Sequence, residues 1–300
     1  MPRNATQSAI GAHLLAERII DWYDVNARDL PWRGVDVDPW AVMVSEFMLQ
    51  QTPVNRVLPV FEAWMVKWPA PADLAAESVG EAVRMWGKLG YPRRALRLHA
   101  AAGAIVADHG GVVPRDVDDL KALPGVGDYT AAAIASFAYG QRIAVVDTNV
   151  RRVVHRAVLG AAEAGQSTTK ADFALTDSLL PSTPQRAARM SIGLMELGAL
   201  LCTATNPVCE RCPLRTDCAW VAAGRPAYDG KPKRVQKFAG TDRQVRGLLM
   251  DVLRDNERAV TKADLDVVWQ DADQRERALD GLLRDGLAVI DENGLFALPD

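Results

Sequence analysis

The sequence has no stretch of about 18 uncharged apolar residues, so no segment reads as a membrane span. Its N-terminus, MPRNATQSAIGAHLLAERIIDWYD, interrupts its apolar positions with His13, Glu17, Arg18 and Asp21 and forms no signal-peptide core. Internal repeats and low-complexity tracts are missing, and few segments resemble strands. Cysteine is scarce: the four present all lie within residues 202–218, which excludes a small disulfide-stapled scaffold. What is there is ordinary and globular, 300 residues with 49% apolar and 24% charged, room for about two domains at roughly 150 residues each. These features predict a cytoplasmic protein with no membrane partner.

The formal charge of −3 argues against a nucleic-acid partner until it is divided along the chain. Residues 236–300 carry 9 Lys and Arg against 14 Asp and Glu, which leaves 26 against 24 for residues 1–235. An acidic tail therefore conceals a slightly basic body. Within that body Arg84, Lys88, Arg93, Arg94 and Arg97 occur with no acid among them. Such density suits a phosphate backbone or, equally, a solvated helix face.

Apolar residues recur at three and four spacing from residue 8 to 200, with breaks at Gly and Pro, so the body reads as about ten helices. The segment GRPAYDGKPKRVQKFAG after the cysteines has linker composition. Beyond it RQVRGLLMDVLRD, TKADLDVVW and DQRERALDGLLRDGL predict three amphipathic helices, and AVIDENGLFALP a hairpin turned at Glu292 to Gly294. The prediction is thus a body over residues 8–235 and a small winged-helix-like module over 241–300.

The spacing Cys202-x6-Cys209-x2-Cys212-x5-Cys218 uses every cysteine inside seventeen residues, which indicates one metal site. Four thiolates suit structural zinc or an iron-sulfur cluster. A zinc site usually has two CxxC pairs, and only Cys209 and Cys212 form one here. The x6, x2, x5 spacing resembles the iron-sulfur loop of the endonuclease III and adenine glycosylase superfamily of DNA base-excision enzymes. The resemblance implies one 4Fe–4S cluster on these four residues, structural and DNA-sensing in role.

Leu123-Pro124-Gly125-Val126-Gly127 separates two helical runs, and its glycines permit a tight turn with N–H groups facing an anion. The longer string LPGVGDYTAAAIASFAYGQRIAVVDTNVRRVVHR resembles the helix-hairpin-helix of the same superfamily, followed at its spacing by an essential aspartate, here Asp147. By position Asp147 is also a helix N-cap, and capping does not exclude catalysis. A carboxylate beside a sugar that is losing its base stabilises the oxocarbenium-like transition state. Bifunctional lyases of the superfamily carry lysine where this chain has Tyr129, because a Schiff base requires an amine. The resemblance therefore implies a monofunctional glycosylase in which Tyr129 and Asn149 hydrogen-bond near Asp147, and Gly125, Val126 and Gly127 hold a phosphate.

Releasing adenine also needs an acid, because a ring nitrogen must be protonated before the base departs. Glu46 is the only acid in AVMVSEFMLQQTPV, and burial there would keep it protonated. LPWR at 30–33 with SEFMLQQT at 45–52 resembles the adenine-glycosylase signature. It implies that Glu46 is the acid, that Arg28, Trp32, Arg33 and Leu49 line the adenine pocket, and that Gln51 wedges into the gap left by the flipped nucleotide. Leu89-Gly90-Tyr91 resembles a segment of the family whose tyrosine intercalates beside the opposite base.

The resemblance spans about residues 15–225 and has departures. Pro92 follows Tyr91 where an aromatic is usual, Asp128 places an acid at the hairpin, and Thr203 to Val208 lack Lys and Arg. About 60 residues follow the linker, too few for the Nudix-like domain with which many adenine glycosylases recognise 8-oxoguanine. The prediction is an all-α fold: a two-lobed helix-hairpin-helix core, its cluster loop and a C-terminal module. Its activity is hydrolysis of the N-glycosidic bond of adenine mispaired with 8-oxoguanine or guanine. The expected partner is double-stranded DNA, bound by a monomer associated with the nucleoid, with the C-terminal module free to touch another protein. Alternatives are a T·G thymine glycosylase, a silent DNA-binding regulator and a zinc-stabilised interaction protein.

Overall fold

The computed structural model describes residues 5–34, 36–228, 230 and 238–300, with side chains from residue 11 onward. Residues 229 and 231–237 of the predicted linker lie outside the described residues. The chain divides into two compact units, one drawn from residues 1–42, 115–118 and 127–233 and the other from 43–114, 119–126 and 234–300. Among the described residues only Val289–Ile290 and Phe296–Ala297 form strands, so the fold is all-α in the sense the periodicity predicts. No helix is long and apolar enough to cross a membrane, among the described residues.

The first unit packs Ala5–Asn26, Thr148–Val154, Lys170–Leu179 and Pro184–Leu200 around one another. Their inward stripes supply Ile19, Val150, Met190, Leu194 and Leu197, none more than 1% exposed. Burying such side chains contributes about 1.5–3 kcal/mol each, enough to fix which helix faces turn inward. Gly198 sits where Pro184–Leu200 meets Asn149: a Cβ there would lie 2.7 Å from the Asn149 Cβ and 2.9 Å from its carbonyl oxygen. The close approach requires the missing side chain.

In the second unit the helices Val54–Lys67 and Val79–Trp86 set Trp64 edge-on to Trp68 at 4.6 Å and to Trp86 at 5.7 Å. The C-terminal helices Asp242–Asp255, Lys262–Asp266 and Ala272–Arg284 bury Val245, Leu249, Leu265 and Leu282 completely, and the hairpin follows them. Gly80 admits the chain end, since a Cβ on it would collide with the Pro299 carbonyl oxygen. The Arg254 Nε donates to the Val83 carbonyl at 3.2 Å. Residues 242–300 thus pack against the helices of 43–114.

This packing decides the role of the basic cluster. The Arg84 guanidinium donates to the carbonyls of Arg254 and Asn256, Lys88 pairs with Asp251 at 3.2 Å, and Arg93 with Asp285 at 3.3 Å. Arg94 is buried, 5% exposed. The five do not act alike: Arg84, Lys88 and Arg93 meet residues of the acidic tail, Lys88 and Arg93 while still exposed, and Arg94 supports the core. Sequence density of charge carries no information about a partner 160 residues away.

Candidate active site

The candidate residues fall into two groups, one in each unit. In the first, Asp147 follows the apolar run Ile143 to Val146, has extended backbone and caps the helix Thr148–Val154. Its Oδ1 accepts from the Val150 N–H at 2.7 Å and its Oδ2 from the Asn149 amide at 2.9 Å. Burial pushes the Asp147 carboxyl up, while these hydrogen bonds and Arg152 pull the other way. An ionised carboxylate here is poorly solvated and held in one orientation, the condition under which a nearby positive charge gains most. Tyr129, in the first turn of Asp128–Phe137, places its hydroxyl 3.9 Å from the Met195 sulfur.

Arg28, Trp32 and Arg33 lie nearby in sequence, but a residue absent from the sequence reading organises the two arginines. Glu196, fully buried in Pro184–Leu200, accepts from Arg28 Nε and Nη2 at 2.7 Å each and from Arg33 Nη1 at 2.6 Å. Burial alone would push its carboxyl up. The Arg28 hydrogen bonds and the Arg33 charge outweigh burial and hold it at about 2, against an ordinary 4.5. The signal was present, since Glu196 is a lone acid in the apolar run SIGLMELGALL, the same signature that marks Glu46. Trp32 is buried, 5% exposed, in the turn Pro31–Arg33.

Glu196→Gln is expected to destabilise the protein by about 3–5 kcal/mol, because two guanidiniums lose their buried counter-charge. A depressed carboxyl contributes stability that is complete above its unfolded value and is lost as pH falls through its folded one. The gap between wild type and variant should therefore be full above pH 4.5 and close towards pH 2. Denaturant unfolding across that range measures it, and a gap independent of pH would detach Glu196 from the arginines.

The second group begins with the helix Pro39–Leu49, opened by the Asp38 carboxylate accepting from the Trp40 N–H at 2.7 Å. Residues 40–48 are all buried, Glu46 among them at 5% exposed. A helix apolar on every side is a core helix, so its one acid is enclosed. Leu49, half-buried, ends the helix before the exposed Gln51. Gln51 adopts φ 57 and Tyr91 φ 47, left-handed backbone that non-glycine residues take only when their surroundings impose it.

Arg94 imposes it on both. Its Nη1 donates to the carbonyls of Phe47, Met48 and Gln50 at 2.8, 2.9 and 2.6 Å, and its Nη2 to Thr52 Oγ1 at 2.9 Å and the Gly90 carbonyl at 3.0 Å. One guanidinium thus ties the Gln51 turn to the Tyr91 turn. Burial lowers its pKa to about 10, still well above neutrality. Pro92 has a local reason as well: it precedes Arg93–His109 and starts that helix, accepting from the Ala95 N–H at 2.9 Å.

At the hairpin Gly125 has φ 80, and a Cβ there would come 2.7 Å from the Arg97 Cβ and 3.1 Å from the Phe47 ring. The turn closes through the Val126 N–H on the Leu123 carbonyl at 3.1 Å, with Val126 buried and Gly125 and Gly127 exposed. Val126 is the anchor of the loop and the two glycines its accessible backbone.

Cys202, Cys209, Cys212 and Cys218 line one small cavity with Arg156, Arg215 and Trp220. No described group of three or more His, Cys, Asp or Glu is arranged around a single ion. Burial pushes the Cys202 thiol up and that of Cys212 to about 11, so thiolates there require positive charge close by. Arg156 supplies some, donating to the Cys202 sulfur at 3.5 Å and to the Thr203 carbonyl at 2.7 Å. Arg152 bridges the two ends of this unit, donating to Asn149 Oδ1 at 2.7 Å and to the Cys202 carbonyl at 2.6 Å.

A hairpin between helices, a capping aspartate after it in sequence and four cysteines around one cavity define a helix-hairpin-helix protein of DNA base excision. Residues 44–177 match the family model described as HhH-GPD superfamily base excision DNA repair protein. The chain is 54% identical over 288 residues to an adenine DNA glycosylase of Mycobacterium tuberculosis, covering 96% of this chain and 94% of that one. It is 55% identical over 281 residues to one of Mycolicibacterium smegmatis, with 93% and 94% covered. Among solved structures it is similar to a thermostable thymine-DNA glycosylase, with a TM-score of 0.65 at 29% identity, covering 73% of this chain and 100% of that one. The chain belongs to the adenine DNA glycosylase family, DNA N-glycosylases of base-excision repair.

Proposed function

We propose that this chain hydrolyses the N-glycosidic bond of adenine mispaired with 8-oxoguanine or guanine in double-stranded DNA, leaving the strand uncut. The observation that carries the reading is Glu46, a carboxyl 5% exposed on a helix with no other acid. Adenine departs only when a ring nitrogen is protonated, and Glu46 supplies that proton, at N7. Asp147, steered by Asn149 and Val150, faces the developing sugar cation. Tyr129 completes the surroundings of Asp147, and its phenol offers no amine for a Schiff base, so water closes the reaction.

Arg28 and Arg33, fixed by Glu196, orient the flipped adenine with Trp32 and Leu49. Gln51 and Tyr91 fill the gap that flipping leaves, their strained turns held ready by Arg94. The exposed amides of Gly125 and Gly127, with Val126 as anchor, hold a phosphate of the bent strand. One 4Fe–4S cluster on Cys202, Cys209, Cys212 and Cys218 orders the loop between them: four thiols line one cavity, and the single CxxC pair, Cys209 with Cys212, suits a cluster better than the paired knuckles of a structural zinc. Residues 241–300 form a winged-helix-like module that serves residues 43–114.

Single-turnover cleavage of duplexes holding one A·8-oxoguanine, A·G, T·G or A·T pair, with alkali added afterwards, tests the reading. Adenine release opposite the two guanines is expected. Cutting of T·G alone would replace it with thymine excision, and no cutting by iron-loaded protein would reduce the chain to a binder.

A further inference from the structure

The acidic tail brings one cation to the Tyr91 turn. Arg243 lies in the first turn of Asp242–Asp255 and sets its guanidinium 5.0 Å from the centre of the Tyr91 ring and 5.7 Å from that of Phe238. Arg94 reaches the Tyr91 ring as well, at 5.7 Å. Arg94 is buried and spent on five acceptors, whereas Arg243 is exposed and its described partners are the two rings. Asp251 and Asp285 are occupied by Lys88 and Arg93. Two acids of the tail thus face cations of residues 43–114, and the cation beside Tyr91 keeps its donors.

A guanidinium stacked on aromatic rings loses little freedom when it binds, and its planar fork matches two acceptors on one edge of a base. Guanine presents O6 and N7 as adjacent acceptors on one edge, 8-oxoguanine carries a hydrogen on N7 and presents the carbonyl oxygens O6 and O8 on either side of it, and the adenine that faced them has been flipped away. From this geometry we infer that Arg243 determines specificity by donating to the guanine-type base opposite the excised adenine. The C-terminal module then supplies to the reading site a residue that residues 1–235 lack. The inference rests on the placement of Tyr91 beside that base.

Affinities of the full chain for duplexes with a noncleavable 2′-fluoro-adenosine opposite 8-oxoguanine, guanine or a base-free tetrahydrofuran site test it. Arg243→Ala should weaken binding opposite guanine by about 5- to 150-fold, the range a bidentate base contact spans, weaken it opposite 8-oxoguanine through the lost carbonyl contact, and leave the third unchanged. Arg243→Lys should not restore the loss opposite guanine, since an ammonium has no fork. Arg243→Gln keeps the stem and should discriminate as poorly as alanine, with an unaltered thermal midpoint showing the fold intact. Equal weakening on all three duplexes would make Arg243 a phosphate contact, and no weakening would make it a packing residue; either overturns the inference. Tyr91→Ala separates the two levels. If it abolishes discrimination while Arg243→Ala does not, only Arg243 is misassigned; if it changes nothing on any duplex, the placement of Tyr91 itself has failed.

Discussion

Glu46→Gln is expected to lower adenine release by about 10²–10⁴-fold while the mispaired duplex is bound as tightly as by the wild type. The substitution keeps volume and hydrogen-bonding capacity, which matters at a position 5% exposed inside a helix buried along nine consecutive residues. What it removes is the acidic proton. If Glu46 acts only in the transition state, the loss falls on the chemical step and leaves ground-state binding alone. Single-turnover rates and equilibrium binding on the same A·8-oxoguanine duplex separate the two. Equal losses in both would make Glu46 a binding residue, and an unchanged rate would remove it from the reaction.

Asp147→Asn is expected to lower the rate by about 10²–10³-fold, the scale on which a single group stabilising a developing charge contributes. It should do so without destabilising the protein. Asparagine caps a helix about as well as aspartate, so the Val150 contact survives. The sign of the electrostatic effect is opposite to that at Glu196. Burial raises the Asp147 carboxyl above its ordinary 3.8, so the folded protein holds that proton more tightly than the unfolded chain. Ionisation at neutral pH consequently costs stability, a cost that vanishes as pH falls below the unfolded value. The variant should melt at or above the wild-type temperature at pH 7, with the difference shrinking towards pH 4. A marked drop in melting temperature would show that the carboxylate is there for structure.

The two carboxylates and the cysteines were legible because their signals are local. A lone acid in an apolar helix, a cap after an apolar run and a four-cysteine spacing are each complete within some twenty residues. Three features were not. Glu196 carries the same local mark as Glu46, but its pairing with Arg28 spans 168 residues, and no periodicity encodes that contact. Arg94 reads as one basic residue among five, although it alone is buried and joins two turns 40 residues apart. The acidic tail reads as hostile to DNA because net charge does not say which acids are already spent on Lys88 and Arg93.

Gly198 carries a consequence for inheritance. Its backbone lies so close to Asn149 that any side chain would push against the residue that steers Asp147, though Gly198 itself holds no reactive group. The same residue's carbonyl accepts from Arg152 at 2.8 Å, so a displacement there reaches Asn149 along a second route. The stretch of gene whose alteration silences this repair activity is therefore wider than the codons for its chemistry. A lineage with every catalytic codon intact could still accumulate mutations as fast as one that had lost the enzyme.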